Sequence, residues 1–60
     1  MYIFLAHYIN MDTGAKTTRG IEVDEQLFDT EKEIYAHAMS FAYDAKEYNE
    51  CFDSLEFIAG

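Results

Sequence analysis

The sequence has no proline, no tryptophan, one cysteine and only four basic residues among 60 positions. One cysteine cannot form an internal disulfide bond, and four basic residues give no footprint for a phosphate backbone. No apolar run approaches the roughly 18 residues of a membrane span, and no secretion signal opens the chain. These absences predict a cytoplasmic protein that contacts neither nucleic acid nor membrane directly.

The residues that are present suit a folded core. Half of them are hydrophobic, and five Phe and five Tyr supply large apolar side chains. Intrinsic disorder is therefore not expected, despite a net charge of −8. A chain of this size buries only about 60% of the surface that its unfolded form exposes. We expect residues 1–60 to form a single small domain of marginal stability.

Three segments have strand character. Residues 2–10 combine Tyr, Ile and Phe without Gly or Pro, and residues 16–24 alternate between an apolar and a polar side. Residues 54–59 alternate in the same way. A turn is predicted at residues 12–15, DTGA, because Asp favours the start of a turn and Gly accepts a positive φ.

The DTGA segment also resembles the active-site loop of retroviral-type aspartic proteases, which pair two such loops so that two carboxylates share a proton. Because the chain lacks the length and the strands of that fold, we interpret the segment as a hairpin turn. No zinc-binding spacing links His7, His37 and Cys51, and no phosphate-binding or calcium loop is present. We expect a non-enzymatic protein with no catalytic residue, no metal ligand and no cofactor.

A helix is predicted from about residue 30 to 49. Thr30 and Glu33 have the spacing of a capping box, and apolar residues then recur at helical intervals. The predicted apolar stripe comprises Ile34, Ala38, Phe41, Ala42, Ala45 and Tyr48.

The element order ββαβ predicts an α+β fold, in which one helix packs on one face of a three-stranded antiparallel sheet. The third strand pairs antiparallel with the first, which gives the strand order 2-1-3. Because the first strand is apolar on both faces, it suits the central position. One helix covers one face, so the other face of this strand remains open.

We predict that the open face is the aromatic side of the first strand, Tyr2, Phe4, Ala6 and Tyr8. The predicted helix side comprises Ile3, Leu5, Ile9, Ile21, Val23, Leu55 and Phe57. Contiguous exposed apolar patches mark interaction sites, and Tyr is enriched in interfaces. The main hypothesis is a protein-interaction module that self-associates or docks on another protein through this aromatic face.

An alternative hypothesis rests on charge. Residues 22–60 hold eleven carboxylates and two lysines, a net of −9, whereas residues 1–21 carry +1. A negative surface can mimic a phosphate backbone and bind a basic nucleic-acid-handling protein, as small acidic inhibitors from phages and mobile elements do. Its candidate residues are Glu33, Asp44, Glu47, Glu50 and Asp53. The simpler interpretation is a solvated acidic surface that keeps the protein soluble.

Overall fold

The computed structural model describes residues 1–60, and its elements follow the predicted order. The elements are β1 (Tyr2–Asn10), β2 (Lys16–Val23), a short 3₁₀ helix (Glu25–Leu27), α1 (Glu31–Asp44) and β3 (Glu50–Ala59). All strand pairs are antiparallel, and the strand order is β2-β1-β3. The α+β fold and the central position of β1 are therefore confirmed.

The hairpin between β1 and β2 turns where the sequence predicts it. Gly14 adopts a φ of 75°, a left-handed conformation that glycine reaches without steric cost. The turn also extends back to Asn10, whose side-chain oxygen accepts hydrogen bonds from the backbone N–H groups of Asp12 at 2.8 Å and Thr13 at 3.1 Å. This local hydrogen bonding fixes the length of the loop and hence the register of the two strands.

Helix α1 starts as predicted but with a shifted capping contact. The Thr30 hydroxyl accepts the backbone N–H of Glu33 at 3.2 Å, as in a capping box. The Glu33 carboxylate reaches back to the N–H of Asp29, also at 3.2 Å, instead of the N–H of Thr30. Both contacts satisfy N–H groups that have no partner inside the helix.

The helix ends at Asp44, about five residues earlier than predicted, and β3 begins at Glu50 rather than at residue 54. The intervening residues turn back toward the sheet, and the N–H of Glu50 donates to the carbonyl of Glu47 at 3.0 Å. The predicted apolar stripe is wrong at its far end, where Tyr48 is 91% exposed. Contacts made by Glu50 with the sheet override the helical pattern of this segment.

The core lies between α1 and the aromatic side of β1, so the predicted assignment of the two sheet faces is wrong. Phe4 is only 2% exposed, and Ala6 and Tyr8 are fully buried, whereas Tyr2 is half-buried at the end of the strand. These side chains pack with β2 and α1. The buried hydrophobic cluster comprises Phe4, Ala6, Tyr8, Ile21, Val23, Ile34, Ala38 and Ala42.

The hairpin register explains this outcome. Phe4 lies opposite Ile21 and Tyr2 lies opposite Val23, and directly paired residues point to the same face of a sheet. Since β2 has apolar side chains on one face only, the helix must cover that face, and the paired aromatic residues of β1 are covered with it. The helix presents Ala38 and Ala42 there, which leaves room for large rings.

The remaining predictions for the helix side are correct only in part. Ile21 and Val23 are buried there, Leu55 packs against the same core, and Phe57 contacts the Phe4 ring at a centroid distance of 5.7 Å. Three residues predicted on this side lie on the opposite face of β1. They are Ile3, Leu5 and Ile9.

Tyr8 connects the sheet to the end of the helix. Its hydroxyl donates to the carbonyl of Ala42 at 2.6 Å. The N–H groups of Ala45 and Lys46 donate to the carbonyls of Phe41 and Tyr43. No backbone N–H after the helix therefore donates to the Ala42 carbonyl. A buried tyrosine of the sheet thus satisfies a carbonyl that the end of the helix leaves free.

The substitution Tyr8→Phe should lower the free energy of unfolding by about 1 to 3 kcal/mol, because it removes one buried hydrogen bond and leaves the Ala42 carbonyl unsatisfied. Urea unfolding followed by circular dichroism measures this loss. Tyr48→Phe is the matched control, since Tyr48 is almost fully exposed, and its effect should stay within about 0.5 kcal/mol. Equal effects of the two substitutions would show that the Tyr8 hydroxyl has no special role.

Candidate functional site

The face of the sheet opposite α1 has no covering element. We call it the open face and define it by the side chains of the central strand, Ile3, Leu5, His7 and Ile9. Ile3 is 37% exposed and the other three are partly exposed. Three of the four are aliphatic, so this face carries an apolar row, interrupted by His7, where the open face of an antiparallel sheet is commonly polar.

The flanking strands give the open face a polar frame. On β2, Lys16 pairs with Ile9 at one end of the row, and Glu22 pairs with Ile3 at the other end. The two charges are six residues apart on β2, or about 20 Å. On β3, Glu56 places a carboxylate oxygen 3.1 Å from the Nε2 atom of His7. The face thus has a positive end and a negative end, and its centre combines the Leu5 side chain with the polar pair of His7 and Glu56.

The sequence contains a signal for this face that the apolar pattern of β1 alone does not provide. Residues Lys16, Thr18, Gly20 and Glu22 form the polar side of β2. Their partners across the hairpin are Ile9, His7, Leu5 and Ile3. Once the hairpin register is known, the polar side of β2 identifies the uncovered side of β1.

The predicted acidic surface is not one cluster. Glu33 lies in the first turn of α1 and Asp44 is its last residue, so about 16 Å of helix separates them. Asp44, Glu47 and Asp53 are exposed, as predicted. Glu50 does not belong to this surface, because it is only 5% exposed and already paired with a cation.

Glu50 is held by a bidentate ion pair. The Nη1 and Nη2 atoms of Arg19 donate to its two carboxylate oxygens at 2.8 and 3.1 Å. The hydroxyl of Thr17 donates at 3.0 Å, and the backbone N–H of Glu47 donates at 2.8 Å. Since β1 lies between β2 and β3, the pair passes over the central strand, and the guanidinium carbon of Arg19 lies 4.6 Å from the centroid of the Tyr8 ring. These contacts fasten the two outer strands to each other.

The same contacts change the acidity of Glu50. The hydrogen bonds from Arg19, followed by that from the N–H of Glu47, lower the pKa of the carboxyl from its usual 4.5 to about 2, against the opposing effect of burial. Because the pKa is lower in the folded state, the stabilising contribution is fully present above about pH 4.5. It is lost as the pH falls toward about 2.

Glu50→Gln should therefore lower stability at neutral pH and reduce the loss of stability on acidification. Urea unfolding at a series of pH values between about 2 and 7 measures both effects. Glu47→Gln is the control, because its side chain is exposed and makes no hydrogen bond in the structure, and it should preserve the parent pH dependence. A Glu50→Gln variant with the unchanged acid dependence would contradict a structural role for this ion pair.

Neither a metal centre nor a membrane span is evident in the fold. No group of three or more His, Cys, Asp or Glu side chains is placed to hold a metal ion. No helix combines the length and the apolar character needed to cross a bilayer.

Comparison with known proteins gives no relative from which a function can be transferred. No family model, no curated protein and no solved structure matches the chain at a significant level.

Proposed function

We propose that the chain is a protein-interaction module whose open face binds the open face of a second copy. The observation that carries this proposal is the aliphatic row on the central strand that α1 leaves uncovered. Removing this row from water is favourable, and two-fold dimers are the commonest oligomers. The aromatic residues that the sequence predicted to bind a partner, such as Phe4 and Tyr8, are buried in the core. The proposed interface is therefore the opposite side of the same strand.

The charges on β2 favour a second copy over an unrelated partner. Consider two copies that stack with their open faces in contact, related by a two-fold axis that lies between the two sheets and is perpendicular to the strands. This axis places β2 of one copy over β2 of the other, and the two strands run in opposite directions. Lys16 of each copy then faces the Glu22 carboxylate of the other, while the row centred on Leu5 and His7 faces itself. The open face is therefore complementary to itself in charge at the two ends of β2, and it brings the aliphatic residues of the two copies together.

The size of the face predicts a weak, reversible dimer. A nine-residue strand is about 30 Å long and three strands are about 14 Å wide, so roughly 800 Å² is covered when two faces meet. Specific stable interfaces start at about 1,200 Å². The net charge of −8 on each copy opposes association further. Dimers should thus form only at high protein concentration.

Leu5→Lys tests the apolar centre of this interface. Sedimentation equilibrium of the parent chain should show a mass that rises toward the dimer with concentration. Leu5→Lys should remain monomeric, because it places a charge at the centre of the contact. Leu27→Lys is the matched control: the same substitution at an exposed position outside the sheet should leave dimerisation unchanged.

Circular dichroism shows whether the Leu5→Lys variant is folded. If it is not, Ile3→Lys provides a second test at the more exposed end of the row, because the new cation would lie close to Lys16 of the facing copy. A parent chain that is monomeric at every concentration would reject the proposal. A dimer that survives both substitutions would also reject it, since such a dimer must use another surface, such as the free edge of β2 or β3.

Charge exchange tests the orientation of the dimer. Lys16→Glu and Glu22→Lys should each weaken association at low salt, and the double variant should restore it. The net charge changes from −8 to −10 in Lys16→Glu and from −8 to −6 in Glu22→Lys, and it stays at −8 in the double variant. If only overall repulsion mattered, Glu22→Lys would strengthen the dimer instead. That result would contradict the predicted Lys16–Glu22 contact.

In the alternative function, the acidic surface docks on a basic nucleic-acid-handling protein. The exposure of Asp44, Glu47 and Asp53 supports this alternative. Salt distinguishes the two proposals. At about 1 M salt the Debye length falls to about 3 Å, so charge-driven docking should be lost. Association through the open face should persist, because apolar burial is not screened and the repulsion between copies is.

A further inference from the structure

A cleft of about 400 Å³ opens on the helix side of the sheet, where the start of β1, the start of α1 and the end of β3 meet. The cleft lies on the opposite side of the sheet from the open face. Four of its six lining residues are hydrophobic or aromatic. The lining comprises Tyr2, Phe4, Glu31, Tyr35, Phe57 and Gly60.

Aromatic rings form most of the cleft. Phe4 is buried at its base, whereas Tyr35 is 45% exposed and Phe57 is 53% exposed. The Phe4 ring meets the Tyr35 ring at an interplanar angle of 81° and the Phe57 ring at 66°, with centroid distances of 5.8 and 5.7 Å. Because Phe4 is almost fully buried, the accessible aromatic surface of the cleft belongs to Tyr35, to Phe57 and to the half-buried Tyr2 ring, whose centroid lies 5.6 Å from that of Phe57.

The polar groups at the cleft are acidic. The Glu31 carboxylate accepts a hydrogen bond from the Tyr2 hydroxyl at 3.3 Å and makes no ion pair. Glu25 lies nearby and is already neutralised by the amino group of Met1 at 2.6 Å. Burial is the largest cause that raises the pKa of the Tyr2 phenol, and the nearby Glu31 and Glu25 carboxylates raise it further. No basic side chain lines the cleft.

We propose that this cleft binds the head of a small organic cation, a quaternary or other alkylated ammonium group. Aromatic faces attract such cations through the ring quadrupole, and the alkyl groups bury apolar surface against the rings. The free Glu31 carboxylate supplies the balancing charge. An anion would be repelled by Glu31, and a neutral apolar ligand would desolvate this carboxylate without replacing its lost hydration.

The direct test is a titration of the full chain with choline, followed by NMR of the aromatic and backbone signals. Choline should cause saturable shifts at Tyr2, Tyr35, Phe57 and Gly60. The matched probe is 3,3-dimethyl-1-butanol, which has the same shape as choline but no charge. It should bind much more weakly, since it keeps the apolar contacts and loses the attraction to the rings and to Glu31.

Variants identify the groups responsible. Tyr35→Leu and Glu31→Gln should each weaken choline binding roughly two- to fivefold, because each removes one cation contact at a partly exposed position. Tyr48→Leu is the control for a general aromatic effect, and Glu47→Gln is the control for the general negative charge. Both controls should bind choline as the parent chain does.

Three results would overturn the proposal. Equal binding of choline and the neutral alcohol would show that the cleft is only apolar. Shifts that do not saturate, or that Glu47→Gln reduces as much as Glu31→Gln does, would show only diffuse attraction to an acidic surface. Unchanged binding in Tyr35→Leu, with the fold verified by the backbone spectrum, would place the cation elsewhere.

Discussion

The register of the β1–β2 hairpin determines the architecture of this small fold. Helix α1 has fourteen residues and is therefore about 21 Å long, which suffices to cover one face of three strands. The register places Phe4 opposite Ile21, so the aromatic side of β1 and the only apolar side of β2 belong to the same face. Covering that face buries Phe4 and Tyr8 of β1 together with Ile21 and Val23 of β2. The aliphatic side of β1 is left to the solvent or to a partner.

Tyr8 shows how a short chain supplements a small core with polar contacts. Its ring packs against Phe52 at a centroid distance of 5.9 Å and lies under the guanidinium group of Arg19, while its hydroxyl holds the end of α1. Arg19 in turn binds Glu50 across the sheet. A single buried side chain therefore contacts the ion pair between the outer strands and the helix above them. Fully satisfied networks of this kind specify one arrangement of the elements, because a partner that moves leaves a buried polar group unpaired.

Sequence reasoning succeeds here where the determining signal is local. The turn at Gly14 and the helix start at Thr30 depend on neighbouring residues, and each is predicted correctly. The strand order is also correct, because the order and direction of the elements, with the two apolar faces of the first strand, favour one arrangement. The end of α1 is wrong because Glu50 is drawn into the sheet by Arg19, which is 31 residues away in the chain. The face assignment is wrong because β1 is apolar on both sides, and only pairing with β2 distinguishes them. The aromatic cleft has no sequence signal, since Tyr2, Tyr35 and Phe57 come from three elements.

The acidic charge of the chain acts in opposite directions on the two proposed sites. Between two copies the charge is repulsive. Association through the open face therefore requires that burial of the aliphatic row and the Lys16–Glu22 contacts outweigh this repulsion. At the cleft the charge is attractive, because a cation that approaches meets an unpaired carboxylate and a protein of net charge −8. Salt should consequently strengthen self-association while it weakens cation binding. The same net charge thus favours the binding of a cation at the cleft and opposes contact between copies at the open face.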